Sequence, residues 1–421
     1  MNTTRGRVII IGGGVIGTAS AYYLERGGWR VTVLEKGEIG RGTSFGNCGL
    51  VCPSHVLPLA EPGVIGKTFK ALFAKNSPFA IKPRLDLALW SWLLQFARRC
   101  NERDMLEAAS GIHALLESSM EEYRRLIGQE PLDCEWQQNG LLFPYRSKEA
   151  LDAYDATNHL LGESFGVPAR KLSGRETVAI EPALKTGLAG SWYYDDDAHL
   201  RPDKLLASLR SLLQARGVQF LGNCEMTSFH VRGNRAVAVS TLQGDLEADE
   251  FVVAAGALTP FLSHHLGCRI PIQPGKGYSI TMRRPKICPA IPLIFPETRV
   301  VATPFESGYR LGSTMEFAGY DATLNPARLQ LLKDGARPFL QEPYCEPIQE
   351  EWFGWRPMTH DSLPIIDRSP SLDNVLIAAG HNMLGLSMAT GTGKLVAEML
   401  GGAKPHLDVA PYRVARFAGL A

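Results

Sequence analysis

Three glycines near the N-terminus have the spacing of a nucleotide-binding turn. Gly12, Gly14 and Gly17 form the pattern G-x-G-x-x-G after the apolar run 7–11 and before a helical stretch. In such a unit the first glycine permits a tight turn, the second lets the backbone approach a pyrophosphate, and the third lets the helix pack close to the strand. Glu35 lies 18 residues after Gly17, where a carboxylate can accept hydrogen bonds from ribose hydroxyls. The pattern predicts a dinucleotide-binding βαβ unit.

The residues after Glu35 bear on the choice between NAD and FAD. Lys36 is followed by small residues and hydroxyls at 40–44 and 47–50. Such residues suit a loop that follows a pyrophosphate toward an isoalloxazine ring, whereas a plain NAD enzyme usually continues with another helix and parallel strand. This segment therefore favours FAD.

The elements that must position these residues are those of an α/β protein. Residues 7–11 and 29–34 are short apolar runs typical of buried parallel strands, and an amphipathic helix lies between them. The run 249–256 predicts a further buried strand that ends at a glycine, and 270–316 holds short runs broken by Pro and Gly, typical of an antiparallel sheet. Further elements are predicted as strands at 218–222, 236–241 and 374–379, a turn at 380–385, and helices within 85–125, at 203–216 and at 386–400.

The composition is that of a globular enzyme and argues against several other classes of protein. The chain has 421 residues, of which 45% are hydrophobic and 21% charged, enough for two domains. Lys and Arg number 44 against 43 Asp and Glu, so the basic surface that nucleic acid needs is not expected. The first residues lead directly into a strand and leave no room for a signal peptide, and no apolar run is long enough to cross a bilayer. We therefore expect a cytoplasmic protein.

The cysteines and the acidic run at 195–197 predict neither disulfides nor a metal site. None of the eight cysteines forms a C-x-x-C pair, and Cys48 and Cys52 stand four residues apart. Reduced thiols are the simplest interpretation. We read Asp195, Asp196 and Asp197 as a solvated turn and expect no metal.

Five segments in one order resemble the D-amino-acid oxidase superfamily of FAD-dependent oxidoreductases. They are the N-terminal glycine unit, GTSFGN at 42–47, PGKGYS at 274–279, WRPMTxD at 355–361 and GHxxxG at 380–385. Together they cover nearly the whole chain. The chain looks most similar to bacterial D-amino-acid dehydrogenases of the small-subunit type, with glycine and sarcosine oxidases as near relatives.

The resemblance implies an α/β fold, α+β overall. A Rossmann-like FAD-binding domain is expected to be interleaved with a substrate domain built on a mixed or antiparallel β-sheet with helices. The expected ranges are 1–85, 186–265 and 350–415 for the FAD-binding domain, and 86–185 and 266–349 for the substrate domain.

The resemblance also implies FAD held by three segments of the chain. Some relatives attach the flavin to a cysteine near the C-terminal motif, but no cysteine follows Cys345, so noncovalent FAD is expected. Amides of the turn 380–386 are expected to face the flavin N1/O2 edge, where a helix N-terminus stabilises the negative charge of reduced flavin. The predicted cofactor-binding residues are Gly12, Gly14, Val15, Ile16, Gly17, Glu35, Lys36, Gly42, Thr43, Ser44, Asn47, Gly49, Leu50, Val51, Met226, Ala255, Gly256, Gly380, His381, Met383, Leu384, Gly385 and Leu386.

Three residues are predicted to act on the substrate. Arg356 matches the arginine with which the family grips the substrate carboxylate, and its planar fork of donors suits that group. A structural salt bridge to Asp361 or Asp367 is the alternative. Tyr278 is expected either to bond the substrate or simply to pack, and His55 either to face the pocket or to be an ordinary surface or packed histidine.

Three further positions are not expected to act on the substrate. A second carboxylate contact that glycine-oxidase-like relatives take from a tyrosine falls near Val301, which cannot supply it. Glu316 is read as structural. His381 is read as a turn residue rather than a base, because hydride transfer requires only a neutral amine.

The function implied is oxidative deamination of a D-amino acid. The Cα hydride passes to flavin N5, the imine hydrolyses to a keto acid and ammonia, and electrons go to a quinone or another respiratory acceptor. A cyclic substrate such as D-proline or a D-hydroxyproline is a variant. The alternative is a glycine- or sarcosine-type oxidase that uses O2 and releases hydrogen peroxide. A tRNA-modifying flavoprotein is disfavoured by the net charge of +1, and a noncatalytic subunit by the presence of Arg356.

Peripheral contact with the inner face of the membrane is a separate hypothesis. Residues 56–100 combine apolar side chains, Lys, Arg and an amphipathic stretch with Trp90 and Trp92. A stripe of Leu85, Leu89, Trp92, Leu93 and Phe96 in this region is equally consistent with a helix buried in the substrate domain. The oligomeric state is not determined by the sequence.

Overall fold

The computed structural model describes residues 5–66, 79–82 and 84–418. Its strands are β1 Arg7–Ile11, β2 Arg30–Leu34, β3 Leu50–Val51, β4 Phe79–Ile81, β5 Leu141–Tyr145, β6 Arg170–Ser173, β7 Gly190–Tyr194, β8 Ala198–His199, β9 Gln219–Leu221, β10 Met226–Arg232, β11 Arg235–Thr241, β12 Gly244–Glu247, β13 Glu250–Val253, β14 Ile272–Met282, β15 Leu293–Phe295, β16 Val300–Phe305, β17 Gly308–Phe317, β18 Ile348–Thr359, β19 Ile365–Arg368 and β20 Val375–Ala379. Its α-helices are α1 Val15–Arg26, α2 Leu87–Arg99, α3 Glu102–Gln129, α4 Lys148–Ala153, α5 Asp155–Phe165, α6 Gly174–Ile180, α7 Pro202–Ala215, α8 Ser263–Leu266, α9 Pro326–Ala336 and α10 Ala389–Gly401, and 3₁₀ turns lie at Gly256–Leu262, Ala410–Tyr412 and Val414–Phe417.

A six-stranded sheet in the order β19-β20-β13-β1-β2-β9 holds the N-terminal unit. Its central strand β1 pairs in parallel with β2 and β13. Val8 and Ile10 point into a core with α1, α3 and α10, whereas Ile9 and Ile11 enter a second core with β10 and β11. Because both faces are covered, β1 reads as a continuous apolar run rather than an alternating one.

A nine-stranded sheet forms the other large layer. Its order is β18-β14-β17-β16-β15-β5-β7-β6, and β4 pairs with β17. The pairs among β14, β15, β16, β17 and β18 are antiparallel. The antiparallel arrangement predicted for 270–316 is therefore confirmed, as is the mixed α/β class of the fold.

The two large sheets divide the chain differently from the predicted domain ranges at three points. Strands β4, β7 and β18 belong to the nine-stranded sheet, although ranges 1–85, 186–265 and 350–415 were predicted for the cofactor domain. Each of these three segments thus contributes strands to both large sheets. The domain boundaries themselves stay a prediction.

The stripe predicted around residue 85 is only partly correct. Leu89 and Trp92 of α2 are buried, but Leu85 lies before the helix and is 105% exposed. Arg84 and Asp86 form an ion pair just before α2. Asp86 is also the N-cap of this helix, because it accepts from the Leu89 amide at 3.1 Å. The helix therefore begins too late to carry Leu85 into the core.

None of the helices in the described part of the chain is long and apolar enough to span a bilayer. Within the 56–100 region of the membrane hypothesis, residues 67–78 and 83 lie outside the described residues.

Candidate active site

One large cavity lies between the two sheets. Its volume is about 2460 Å³, well above the roughly 300–1,000 Å³ of an ordinary small-molecule pocket. The cavity runs from the carboxyl end of β1, past residues 41–59, to strands β14, β17 and β18 of the nine-stranded sheet. It has room for a dinucleotide and a second, smaller molecule.

The glycine turn at one end of the cavity leaves no space for side chains. Gly12 has φ +115°, and a Cβ there would overlap the Ala254 carbonyl. A Cβ on Gly17 would overlap the carbonyl of Gly12. Gly14 faces the cavity, and the nearest atom to a Cβ there is Ser44 Oγ at 3.4 Å. The turn therefore offers bare backbone at the start of α1, which fits a pyrophosphate.

Glu35 and Lys36 line the same end of the cavity. The Glu35 carboxylate accepts from the Gly13 amide at 2.8 Å and from the Gly37 amide at 3.3 Å. These bonds fix the carboxylate beside the glycine turn, as an acceptor for ribose hydroxyls requires. Lys36 is held by Glu225 at 2.8 Å.

The loop that follows joins the two sheets. Ser44 Oγ accepts from the Val15 amide at 3.0 Å, and the Thr43 hydroxyl donates to the Trp355 carbonyl at 2.8 Å. Gly49 has φ +80°, and a Cβ there would overlap the Leu200 carbonyl. The loop thus runs along the cavity wall from the glycine turn to the nine-stranded sheet.

A buried arginine that the sequence did not single out holds this loop in place. Arg310 on β17 is 1% exposed. Its guanidinium donates to the Phe45 carbonyl at 3.3 Å, to the Asn47 carbonyl at 2.6 Å and to Thr281 Oγ1 at 2.8 Å. No local pattern marks this residue, because the two loop carbonyls that it binds lie 265 and 263 positions away.

The C-terminal turn closes the cavity from the third side. His381 is buried, and its Nε2 lies 3.0 Å from Thr392 Oγ1. Burial lowers the pKa of His381 to about 3, so the ring is neutral. Asn382, absent from the predicted set, has φ +50°, accepts from the Thr359 amide at 2.9 Å and donates to the Gly380 carbonyl. Asparagine tolerates the left-handed backbone region better than most residues, and this was the signal in the sequence that could have marked Asn382 as part of the turn.

Arg356 projects from β18 into the cavity. Its Nη1 donates to the Thr314 carbonyl at 2.9 Å. No described residue forms a salt bridge with it. Of the two alternative partners, Asp361 instead binds Arg416 at 2.7 Å, and Asp367 accepts from the Val414 amide at 2.9 Å. Gly277 on the adjacent strand makes room for the guanidinium, since a Cβ there would overlap Arg356. A cation without a counter-charge faces the cavity.

Tyr278 also borders the cavity, but its hydroxyl is engaged. It donates to the Glu316 carboxylate at 2.7 Å, and the side chain is 1% exposed. Val301 lines the neighbouring part of the wall, where it offers no hydrogen bond. Of these residues, Arg356 is the one with donors left for a carboxylate.

The acidic run is not the solvated turn that the sequence suggested. Asp195 and Asp196 are exposed, but Asp197 is 1% exposed and accepts from Ser54 Oγ at 2.5 Å. Asp197 lies in the connection between β7 and β8, and this connection places it behind the cavity wall, next to β3. His55 lines the cavity and packs against Phe143, with ring centroids 5.9 Å apart.

Most predicted site residues surround this one cavity. Those that line it are Gly12, Gly14, Val15, Ile16, Glu35, Lys36, Gly42, Thr43, Ser44, Asn47, Leu50, His55, Met226, Ala255, Gly256, Tyr278, Arg356, His381, Met383, Leu384, Gly385 and Leu386. Gly17, Gly49, Val51 and Gly380 lie behind the wall, where the glycines permit close approaches of the backbone and Val51 packs in the core.

Comparisons with known proteins agree with this geometry. The family model described as FAD dependent oxidoreductase (DAO) matches residues 7–399. A D-amino acid dehydrogenase of Granulibacter bethesdensis is 32% identical over 423 residues, covering 98% of this chain and 100% of that protein. One of Paramagnetospirillum magneticum is 33% identical over 422 residues, covering 98% and 99%.

Solved structures share the fold. A glycine oxidase from Geobacillus kaustophilus matches with a TM-score of 0.76 at 24% identity, over 99% of this chain and 100% of that one. An L-proline dehydrogenase from P. horikoshii matches with a TM-score of 0.73 at 21% identity, over 98% and 97%. At these identities the likeness concerns the fold alone.

Proposed function

Since the chain belongs to the DAO family of FAD-dependent oxidoreductases, we propose that it oxidises a D-amino acid at Cα. The cofactor is FAD, as in the family, and we propose that it is bound noncovalently by the glycine turn, the 42–51 loop and the 380–386 turn. The observation that carries the choice of substrate is Arg356, a guanidinium that faces the cavity without an ionic partner.

A carboxylate is the ligand that this arginine lacks. A cation withdrawn from water is stabilised when an anion completes its hydrogen bonds, and burial already lowers the pKa of Arg356. The guanidinium can grip a planar carboxylate with two parallel donors. That grip fixes the substrate Cα over a defined point of the cavity, and a small misplacement of the reacting atom costs rate steeply.

The reaction then divides between the cofactor and the chain. Bound FAD supplies the two-electron acceptor for the hydride that leaves Cα. The chain binds the carboxylate, orients Cα and lines the remaining space. The imine product is hydrolysed by water to a keto acid and ammonia. D-Proline or a D-hydroxyproline would react in the same way at a ring carbon.

The cavity supports a substrate with a side chain rather than glycine or sarcosine. Phe143, Tyr154 and Tyr194 extend its wall beyond the flavin-binding segments, and their rings pack on one another. The Tyr154 and Tyr194 hydroxyls lie 2.7 Å apart and satisfy each other. This wall offers contact area to an apolar or ring-shaped side chain, which glycine would leave empty.

Anaerobic reduction of the flavin tests the proposal. We expect D-amino acids or D-proline to bleach the yellow protein, while L-enantiomers, glycine and sarcosine do so at least about 100-fold more slowly. R356A should keep its FAD and lose bleaching, because removing one partner of such a charge pair costs about 2–5 kcal/mol. R337A, an exposed arginine on the outer surface, is the matched control. Normal bleaching of R356A would remove this residue from the substrate site.

For the electron acceptor we propose a quinone reached from a membrane surface. Leu87, Trp90 and Leu94 on α2 are 88%, 55% and 54% exposed. Trp90 also lines the cavity, as do Trp92 and Leu93 on the same helix. An apolar path thus joins the cavity to an exposed apolar helix face, which suits a membrane interface.

Two measurements test the acceptor. Turnover with D-amino acid should require an added dye or quinone, and a release of peroxide equal to turnover in aerated buffer would instead indicate an oxidase. Flotation with anionic vesicles at low salt should recover the protein, and the triple variant L87Q/W90Q/L94Q should stay behind. L242Q, at an equally exposed leucine on the distant β11–β12 hairpin, is the control that should still float.

A further inference from the structure

Oxidation at Cα begins from a neutral amine, yet a D-amino acid arrives as its ammonium form at neutral pH. Resting on the function proposed above, we propose that His55, Ser54 and Asp197 form a proton-accepting chain that deprotonates the substrate ammonium. His381 cannot serve this purpose, because it is buried and its Nε2 is engaged by Thr392. His55 lies on the wall of the same cavity as Arg356.

The three side chains are connected in space. His55 Nδ1 lies 3.4 Å from Ser54 Oγ, and Ser54 Oγ donates to Asp197 Oδ2 at 2.5 Å. The Ser54 amide also donates to Asp197 Oδ1 at 3.2 Å. His55 Nε2 is the nitrogen left for a ligand. The cavity thus communicates with a buried carboxylate through one imidazole and one hydroxyl.

Asp197 has the surroundings of a group that takes up a proton. It is 1% exposed, and no cation of the described residues is among the groups that act on it. The groups that face it are the Cys52 thiol, which donates to it, and the negative charge of exposed Asp196. The hydroxyls of Tyr154 and Tyr194 lie nearby but bond each other. A buried carboxylate without a cation is costly in its charged form, and burial raises the pKa of Asp197 to about 7.

The proton moves along the chain without a net change in charge. The substrate N–H bond breaks as an N–H bond forms at His55 Nε2; the Nδ1 proton passes to Ser54 Oγ, and the Ser54 proton passes to Asp197. The ammonium and the carboxylate are both neutralised, and His55 ends as the other neutral tautomer. Burial lowers the pKa of His55 to about 4, so the proton does not stay on the ring and comes to rest on Asp197.

The test compares the rate of anaerobic flavin reduction at pH 7 and at about pH 10. At the higher pH a free amino acid is largely deprotonated in solution and needs no acceptor. At pH 7, the flavin of D197N should be reduced about 10–100-fold more slowly than that of the parent enzyme, a loss at or below the lower limit of typical general-base effects. At pH 10, its rate should be within about threefold of the parent rate. D195N, at an exposed aspartate whose carboxylate pairs with Arg170 instead, should match the parent at both values.

Serine variants provide a second route if D197N does not retain FAD. S54A, which removes the bridging hydroxyl, should show the same loss at pH 7 and recovery at pH 10. S54T, which keeps the hydroxyl, should behave as the parent. A purely structural role would lower the rate equally at both pH values, or change the FAD content instead.

Several outcomes would overturn the proton chain. The proton chain would be wrong if D197N and S54A had parent-like rates at pH 7, or if their losses persisted at pH 10. Either result would leave the proposed function intact. A stoichiometric divalent metal in the purified holoenzyme would also overturn the proton chain, because the donor atoms of Cys52, His55 and Asp197 lie within 4.8 Å of one another and a metal would occupy them. A flavin that no D-amino acid reduces at either pH would overturn the proposed function and this inference with it.

Discussion

The proposed nucleotide end of the cavity, at the glycine turn, and the proposed substrate end, at Arg356, are built in opposite ways. At the nucleotide end, one contiguous stretch supplies strand, turn and helix, and Gly12, Gly14 and Gly17 act through the absence of side chains. At the substrate end, Arg356, Gly277 and Thr314 come from three strands that are adjacent in the sheet but far apart in sequence. A site made of backbone can be contiguous, whereas a site that positions one charged side chain needs neighbours from several strands.

This difference has a consequence for substitutions. At the nucleotide end a change should act on cofactor affinity and leave the substrate arginine untouched. At the substrate end it should act on turnover and leave the cofactor bound. On the 42–51 loop, loss of the contacts that hold the whole loop should affect both ends, whereas loss of a single hydrogen bond should affect the end that this bond reaches.

The largest expected effect is at the nucleotide end. G14V places a branched side chain where bare backbone faces the cavity, so we expect FAD affinity to fall at least 1,000-fold, or about 4 kcal/mol. The purified protein should be colourless, which the ratio of flavin to protein absorbance measures directly. G128V, at an exposed helical glycine with no atom within 4 Å of a Cβ, should stay yellow. Full flavin occupancy in G14V would break the assignment of the turn.

The same difference explains how much the sequence could predict. The glycine turn, β1, α1 and β2 follow from local pattern, because strand period, helix period and glycine spacing all lie within one short window. The turn at 380–386 and Arg356 were identified through resemblance. Asp197 was misread, because three adjacent aspartates look solvated and only the β7–β8 connection buries the last of them. Arg310 gave no local signal, since burial of a charge is decided by its distant partners.

A second, smaller effect is expected where the two ends are joined. R310M removes the donors to the Phe45 and Asn47 carbonyls and leaves them buried against an apolar side chain. We expect a loss of about 3 kcal/mol in stability, seen in chemical denaturation, together with weaker FAD binding and slower turnover. R337M, at an exposed arginine that follows the outer helix α9, is the control. If R310M lost turnover alone, the loop would belong to the substrate end rather than joining the two.

At the substrate end, G277A tests whether a neighbouring strand positions Arg356. The added methyl would overlap the guanidinium, so we expect kcat/KM to fall about 30-fold, or about 2 kcal/mol, with FAD retained in full. The effect should vanish in the R356A background, because the two substitutions then share one cause. Additive losses in the double variant would show that Gly277 acts on something other than Arg356.

The smallest effect separates two hydroxyls that are adjacent on the loop. Ser44 Oγ accepts from the Val15 amide at the glycine turn, whereas Thr43 donates to the Trp355 carbonyl next to Arg356. T43V keeps the shape and removes one hydrogen bond, worth about 1 kcal/mol, so we expect slightly lower thermal stability and kcat/KM with unchanged FAD affinity. S44A should instead weaken FAD binding about fivefold and leave the substrate KM alone. Isothermal titration of each apoprotein with FAD distinguishes the two variants. If T43V and S44A lost FAD affinity equally, the two ends of the cavity would not be divided between residues 43 and 44.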